Sequence, residues 1–494
     1  MKRHKHSLSH YKLATMDMGE LVPVSCYPVL PGDTIQMSSA CLLRCSPLLA
    51  PVMHPVTVRL HHWFVPNRLT WVGWEDFITG GADGEGGSSG AFPTIDVGGS
   101  GATAGSLLDY LGVPPGVADL EVSALPARAY GMIFNEYYRD QDLVTARTVS
   151  TAAGADSTTD ITLANIAWEK DYFTAARPWT QKGPEVTLPL GTSAPIHSPG
   201  AIGANNSVWS DGSNAIASLY DDAPNSANTI KMSSTGASTA TWMYADLSNA
   251  TAASVNDIRE AFALQRYQEA RALYGSRFTE YLRYLGIRSS DARLQRPEYL
   301  GGGKQTIAFS EVLQTGVTTD GDDSEGVGNL KGHGISAMRS RRFRRFFEEH
   351  GFVITLMSVR PRSMYSDGLH REWLKRTKED FWQKELELIG QQEIQNQEVY
   401  AAAAVPSDVF GYQDRYSEYR KIPSGIAADF RSTLDFWHLA RLFASEPSLN
   451  ASFVTCTPSK RINAVQTDDV LWCMVNHSVQ ARRLVRTTSV GRII

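Results

Sequence analysis

The chain has 494 residues, more than one hydrophobic core ordinarily serves, so two domains or one domain with large insertions is expected. Hydrophobic residues at 42% and charged residues at 20% fit a folded chain with a sizeable core, and 40 glycines with 23 prolines point to a loop-rich, β-rich one. The 47 lysines and arginines against 52 acidic residues leave a net charge of −5, which argues against a protein that neutralises bulk nucleic acid unaided.

The chain opens on Met1-Lys2-Arg3-His4-Lys5-His6, which is basic but lacks the apolar stretch of a signal peptide. Residues 1–15 are therefore expected to form a mobile basic arm, even though His4, His6 and His10 are potential metal ligands. Five cysteines (Cys26, Cys41, Cys45, Cys456 and Cys473) are too few and too odd in number for a disulfide framework, and point to a reducing compartment. No apolar run reaches the roughly 18 residues of a membrane span. Folding in a cytoplasm without membrane insertion is the expectation.

Residues 56–65 alternate as a strand does, with Val56, Val58, Leu60, His62 and Phe64 on one face and Pro66 ending the run. His61 and His62 then face opposite ways and cannot share an ion. Residues 82–105 are rich in glycine and serine, and 192–240 in Ser, Ala, Asn, Thr and Gly, so both read as exposed loops. Ser254 with Asp257 resembles a capping box, followed by an imperfect apolar stripe (Val255, Ile258, Phe262, Leu273) that predicts a helix ending before Gly275. A shorter helix is predicted over 277–285, stopped by Gly286. Residues 315–328 form an acidic, glycine-rich loop. The run 352–359, FVITLMSV, is apolar on both faces and predicts a buried strand closed by Pro361. Trp373, Thr377, Phe381 and Leu388 suggest a helix over 370–387, and 470–475 reads as a further buried strand.

Catalytic and metal motifs fail. Gly301-Gly302-Gly303-Lys304 looks like a phosphate loop, but position 298 is glutamate and Gln305 follows the lysine. No H-E-x-x-H occurs, and Cys41 and Cys45 lack a second pair. The adjacent pairs Asp322-Asp323 and Asp468-Asp469 suit solvated loops better than an acid/base couple. One cluster suggests nucleic acid. Arg339, Arg341, Arg342, Arg344 and Arg345 interleave with Phe343, Phe346 and Phe347, placing cations for phosphates beside rings for unpaired bases. The competing reading puts the phenylalanines in the core and pairs the arginines with Glu348, Glu349 or a neighbouring subunit. Lys2, Arg3 and Lys5, and the tail residues Arg482, Arg483, Arg486 and Arg492, repeat the basic signal more weakly.

Longer blocks carry a resemblance. HSLSHYKLATMDMGELVPVSCYPVLPGDT and SPLLAPVMHPVTVRLHHWFVPNRLTWVGWEDFITGG near the start, LPARAYGMIFNEYYRDQDL (125–143) and DYFTAARPWTQKG (171–183) are similar to microvirus major capsid proteins, particularly the gokushovirus-like branch. DARLQRPEYLGGG (291–303), EEHGFVITLMSVRPRSMY (348–365) and FGYQDRYSEYRKIPSGIAADFRSTLDFWHLAR (410–441) resemble the same family, in family order. The resemblance implies a mainly β fold, an eight-stranded antiparallel viral jelly roll with long loop insertions and a few short helices. It implies one such domain over 1–494, acting as a structural subunit and not an enzyme, without cofactor or metal. Identical subunits would close a T=1 icosahedral shell around a circular single-stranded DNA genome, with a small basic DNA-binding phage protein, a minor pilot protein and a host surface receptor as further partners. The location implied is the virion, after assembly in the bacterial cytoplasm. Trp71, Trp74, Phe77, Tyr137, Tyr138 and Trp179 have the composition of subunit-interface anchors, with about half expected in the core. The alternative from another class is a carbohydrate-binding, lectin-like jelly roll.

Overall fold

The computed structural model describes residues 3–81, 89–184, 186, 196–197, 206–209, 216–221, 230–233, 244–245, 255–274, 278–286, 295–313 and 330–487. The chain divides into two compact units, Met1–Thr180 with Tyr274–Ile494, and Gln181–Leu273.

The larger unit is a two-sheet antiparallel sandwich. Its strands are β1 (His4–Ser7), β2 (His10–Met16), β3 (Leu21–Val29), β4 (Thr34–Cys45), β5 (Val56–Pro66), β6 (Glu298–Thr306), β7 (Ala308–Leu313), β8 (Leu330–Arg339), β9 (Phe343–Phe346), β10 (Gly351–Pro361) and β11 (Leu471–Arg483). The seven-stranded sheet runs β1-β11-β4-β8-β7, with β2 also on β11 and β9 also on β4; the four-stranded sheet runs β6-β5-β10-β3. This is the mainly β, antiparallel architecture the resemblance implies. Among the described residues the sandwich has eleven strands where eight are expected, and three stretches of chain each contribute two consecutive ones. β1 and β2 lie on one partner, β8 and β9 on another, and β6 and β7 form one run that changes sheet at the buried Ile307.

The alternation in β5 points Val56, Val58, Leu60 and Phe64 into the sandwich, where they meet Leu43, Val475, Met37 and Val479 of the other sheet. Trp63 and Val65 point the other way, into a second core with Ala129, Tyr130, Ile133 and Phe134 of the helix Leu125–Tyr137. That second core explains the double-sided apolar pattern of β10, since the four-stranded sheet is covered on both faces. The outer face of the seven-stranded sheet is different. Tyr11, Leu13, Trp472 and Met474 stand exposed there. A satellite core around Tyr172, Phe173, Tyr365, Phe410 and Phe453 sits with the hairpin Gln391–Gln395/Val409–Asp414.

Several expectations need correction. The N-terminal arm is not free: β1 and β2 pair antiparallel with β11, from His4 opposite Arg483 to Met16 opposite Leu471. Every second arm residue turns inward, and Leu8 and Met16 join the core, so ordering the arm is offset by burial. Its histidines do not converge: His6 lies 2.9 Å from the Val485 carbonyl, while His10 stacks on His477 at 4.8 Å. Among the described residues no group of three candidate metal ligands forms. The helix predicted over 370–387 is only the 3-10 turns Arg371–Leu374 and Lys384–Leu386. Between them the Asp380 carboxylate accepts the amides of Arg376 and Thr377, a local bond that competes with helical pairing. The strand read at 470–475 continues to Arg483.

The smaller unit contains a three-stranded antiparallel sheet (Asn206–Trp209, Ile216–Asp221, Ile230–Ser233) and the pair Ile196–His197/Tyr244–Ala245, so 192–240 is not wholly irregular. The helices predicted near 255 and 277 are Val255–Tyr274 and Phe278–Tyr284. Residues 315–328 and 82–88 lie outside the described residues; the rest of 82–105 includes Thr94–Asp96, paired with Glu121–Ser123. No helix among the described residues is long and apolar enough to cross a membrane.

Candidate nucleic-acid interface and aromatic contacts

The arginine–phenylalanine cluster is split by strand geometry. β9 pairs with β4 so that Phe343 stands opposite Met37, Arg344 opposite Gln36 and Phe346 opposite Thr34. Phe343 turns inward, its ring 5.4 Å from that of His62, and the buried Phe347 packs on Phe64 at 4.6 Å. Phe346 is left about half exposed. The competing core reading therefore holds for two of the three rings and fails for the third.

The arginines divide likewise. Arg345 pairs with Glu298 at 3.1 Å, whereas Arg341, Arg342 and Arg344 are exposed and have no carboxylate partner among the described residues. Glu349 is taken by Arg68 at 3.0 Å and so does not neutralise the cluster. The arm brings further charge. The Arg3 guanidinium lies 5.5 Å over the Phe346 ring and donates to the Gly32 carbonyl and the Thr34 hydroxyl, at 3.1 and 3.0 Å. Lys5 and Arg482 are register neighbours and both exposed, and Arg482 in turn stands opposite Thr34. One end of the open sheet face thus gathers Arg3, Lys5, Arg344, Phe346 and Arg482, with Arg341 and Arg342 in the turn between β8 and β9. Arg483 is not part of it, since it pairs with the buried Asp33 at 2.8 Å. Arg486 is exposed, while Lys2 and Arg492 lie outside the described residues.

The meeting of Arg3 with Phe346 escapes sequence reasoning, because it requires segments more than 300 positions apart to converge at the Thr34 end of β4. Arg482 was legible only as a tail charge; its place is set by the unread half of β11.

The six aromatic candidates separate by burial. Trp71 is fully buried, its ring 5.0 Å from Phe77 and 5.5 Å from Phe92, so it is core and no contact residue. Tyr138 is half-buried, and its hydroxyl accepts the Trp63 indole N–H at 3.1 Å and lies 2.7 Å from His61 Nδ1. That hydroxyl is committed internally, and burial pushes its pKa up while lowering His61 to about 4. Tyr137 donates to the Pro297 carbonyl at 2.6 Å and lies 4.2 Å from the Trp63 ring, with an exposed edge. Phe77 is exposed; Trp74 and Trp179 are half-buried. His61 and His62 do point to opposite sides of β5, and Gly301-Gly302-Gly303-Lys304 is strand β6, not a phosphate loop.

Nothing in these surfaces assembles a nucleophile, a base and an orienting group. They offer a β-sandwich with one open, charge-rimmed face, which is equipment for contact.

Known proteins agree with that reading. The family described as "Capsid protein (F protein)" matches residues 1–493. The chain is 36% identical to "Capsid protein VP1" of Bdellovibrio phage phiMH2K, covering 94% of this chain and 90% of the relative. It is 33% identical to "Capsid protein VP1" of Chlamydia phage 1 over 94% and 91%, and 29% identical to that of Spiroplasma virus 4 over 92% and 87%. These matches bear out the resemblance and make the role a structural one, favoured over carbohydrate binding. With a family match along nearly its whole length and relatives aligned end to end, this chain belongs to the phage capsid protein (F protein) family.

Proposed function

We propose that copies of this chain close a T=1 icosahedral shell around a circular single-stranded DNA genome, with the basic end of the open sheet face turned to the DNA. The observation that carries the DNA contact is the placement of Arg3 over the exposed Phe346, beside Arg344 and the Lys5–Arg482 neighbours. Unpaired cations suit phosphates, and an exposed ring under a guanidinium offers a stacking platform for a base without reading its identity. The −5 charge leaves most phosphate neutralisation to a separate small basic phage protein. A pilot protein and a host surface receptor complete the set of partners, and the shell is assembled in the bacterial cytoplasm. The segment 192–240 faces outward in this arrangement, because its polar composition suits solvent.

The test replaces Arg341, Arg342, Arg344 and Arg345 with glutamine and measures encapsidated DNA per particle. Empty or DNA-poor shells of normal size are the expected result, with retained DNA falling less steeply with added salt than in wild type, because fewer phosphate contacts release fewer counterions. Unchanged packaging and salt response would remove this surface from the DNA contact. Arg345→Gln alone serves as the control, since Arg345 is already committed to Glu298.

A further inference from the structure

The stretch 371–389, with the turn around Tyr419, sits on a buried ion network while most of its other charges face solvent. The side chains of Lys375 and, from outside the stretch, Glu398 and Glu418 are 1%, 1% and 2% exposed. Arg371 binds Glu398 at 2.8 Å and approaches Glu418 at 4.0 Å; Lys375 binds Glu372 at 2.7 Å and approaches Glu418 at 3.9 Å. Tyr172 closes the network by donating to Glu398 at 2.8 Å. Large apolar groups above this network are also in water, with Trp373 77%, Leu388 92% and Ile422 80% exposed, and Trp382 and Ile389 more than half.

Desolvating ions in order to present hydrophobic side chains is unfavourable for an isolated subunit on both counts. The arrangement makes sense when another protein surface covers the apolar side. The two stretches form one patch. The Lys375 ammonium lies 3.9 Å from the Tyr419 ring centroid and 5.5 Å from that of Phe381. The Tyr416 hydroxyl donates to the Phe381 carbonyl and accepts the Gln383 amide, and Arg420 reaches Glu387 at 3.6 Å. At aromatic-side-chain areas of roughly 150–250 Å² each, the exposed groups present roughly 700–1,000 Å² of largely apolar surface. That exceeds the largest patch of an ordinary monomer and matches one partner's share of a stable protein interface.

We infer that this patch is a docking surface for a second copy of the chain, an inference that rests on the shell reading above. Charge favours that occupant. Residues 371–389 carry five basic and five acidic side chains, so a like surface is not repelled and a polyanion gains no net attraction. The buried ion network fixes the backbone of a segment that has no α-helix or strand of its own, which lowers the ordering cost of association.

The experiment combines Trp373→Gln, Leu388→Gln and Ile422→Gln, and compares subunit melting, particle yield and oxidative footprinting of Trp373 and Trp382. Because the replaced side chains already contact water, the free variant subunit should melt as wild type does. Its particle yield should fall at least about tenfold, as expected for loss of interface anchors. In wild-type particles, Trp373 and Trp382 should be oxidised several-fold more slowly than in the free subunit. Wild-type yield from the variant, or equal oxidation in particle and subunit, overturns the inference and leaves the shell reading intact. Protection confined to a small fraction of copies also overturns it, pointing to a minor phage protein as the occupant. A wild-type chain that forms no particles even with its phage partners overturns the shell reading, and this inference with it.

Discussion

His62 lies in the middle of the sandwich with both ring nitrogens engaged, Nδ1 at 2.9 Å from Thr355 Oγ1 and Nε2 at 3.0 Å from Ser340 Oγ. Ser340 Oγ accepts the Ser39 amide at 2.8 Å, Ser39 Oγ lies 2.7 Å from His477 Nδ1, and His477 stacks on His10. This polar chain joins the two sheets through an otherwise apolar core. The charged or titratable groups acting on it are other histidines and Lys12, none of them acidic. Burial lowers His62 to about 3 and His477 to about 4; neighbouring histidines add to both shifts and Lys12 to that of His477, while the Val24 carbonyl works against the latter. The folded pKa values thus lie below the unfolded value near 6.5. The stabilisation is complete above pH 6.5, declines as pH falls because the unfolded chain binds the protons first, and is gone below the folded values of about 3 and 4. The subunit should accordingly lose a few kcal/mol per ring between pH 6.5 and 4. His62→Gln should lower stability at pH 7.5 yet give a shallower decline on acidification, read from urea midpoints. Parallel wild-type and variant pH curves would refute the role of His62.

At the scale of elements, the run Gly301–Gly303 shows what sequence reading can and cannot supply. Its composition is close to that of a phosphate loop and by itself gives no reason for the glycines. The reason is close approach between strands and between sheets. A Cβ on Gly302 would lie 2.1 Å from the Leu60 carbonyl oxygen and 2.9 Å from the Tyr299 hydroxyl, and one on Gly303 would lie 3.0 Å from Ser340 Cα. Gly302→Ala must therefore push β6 off β5, at a cost of roughly 1–3 kcal/mol. A urea midpoint equal to wild type would contradict this. The strands that were legible, β5 and β10, bury apolar side chains at a clear period. The arm strands were not, because His4, His6, His10 and Lys12 stand where apolar residues would announce a buried face. The second half of β11 hid behind Asn476, Ser478, Gln480 and Arg482, which occupy its outer face. In 370–387, Trp373, Phe381 and Leu388 mimicked a helix stripe while pointing outward. The basic cluster was legible as a cluster, but its division into core rings and one open ring depends on the β9–β4 register, which no local pattern reveals.

At the scale of the whole molecule, the capsid role places two demands on one chain: a rigid body whose contacts repeat from copy to copy, and segments free to vary. The five core clusters of the described residues draw on nothing between Gln181 and Leu273, although that unit has its own strands and helix. The sandwich, by contrast, closes on itself through its ends, because β11 near the C-terminus is flanked by β1, β2 and β4 from the N-terminus. Stability should follow that partition. Replacing 181–273 with a short Gly/Ser linker should leave a soluble subunit whose melting and pH response match those of the intact chain, since no clustered core side chain is removed. A truncation of 3–16, similar in kind but far smaller, should instead expose the inner edge of β11 and lower stability, because it strips Leu8 and Met16 from the core. If the large excision unfolds the subunit while the small truncation is tolerated, the sandwich does not fold as the independent unit its core implies. Protease treatment of intact particles adds the orientation: cleavage within 192–240 places that segment outside the shell, and full protection there with cleavage elsewhere places it inside.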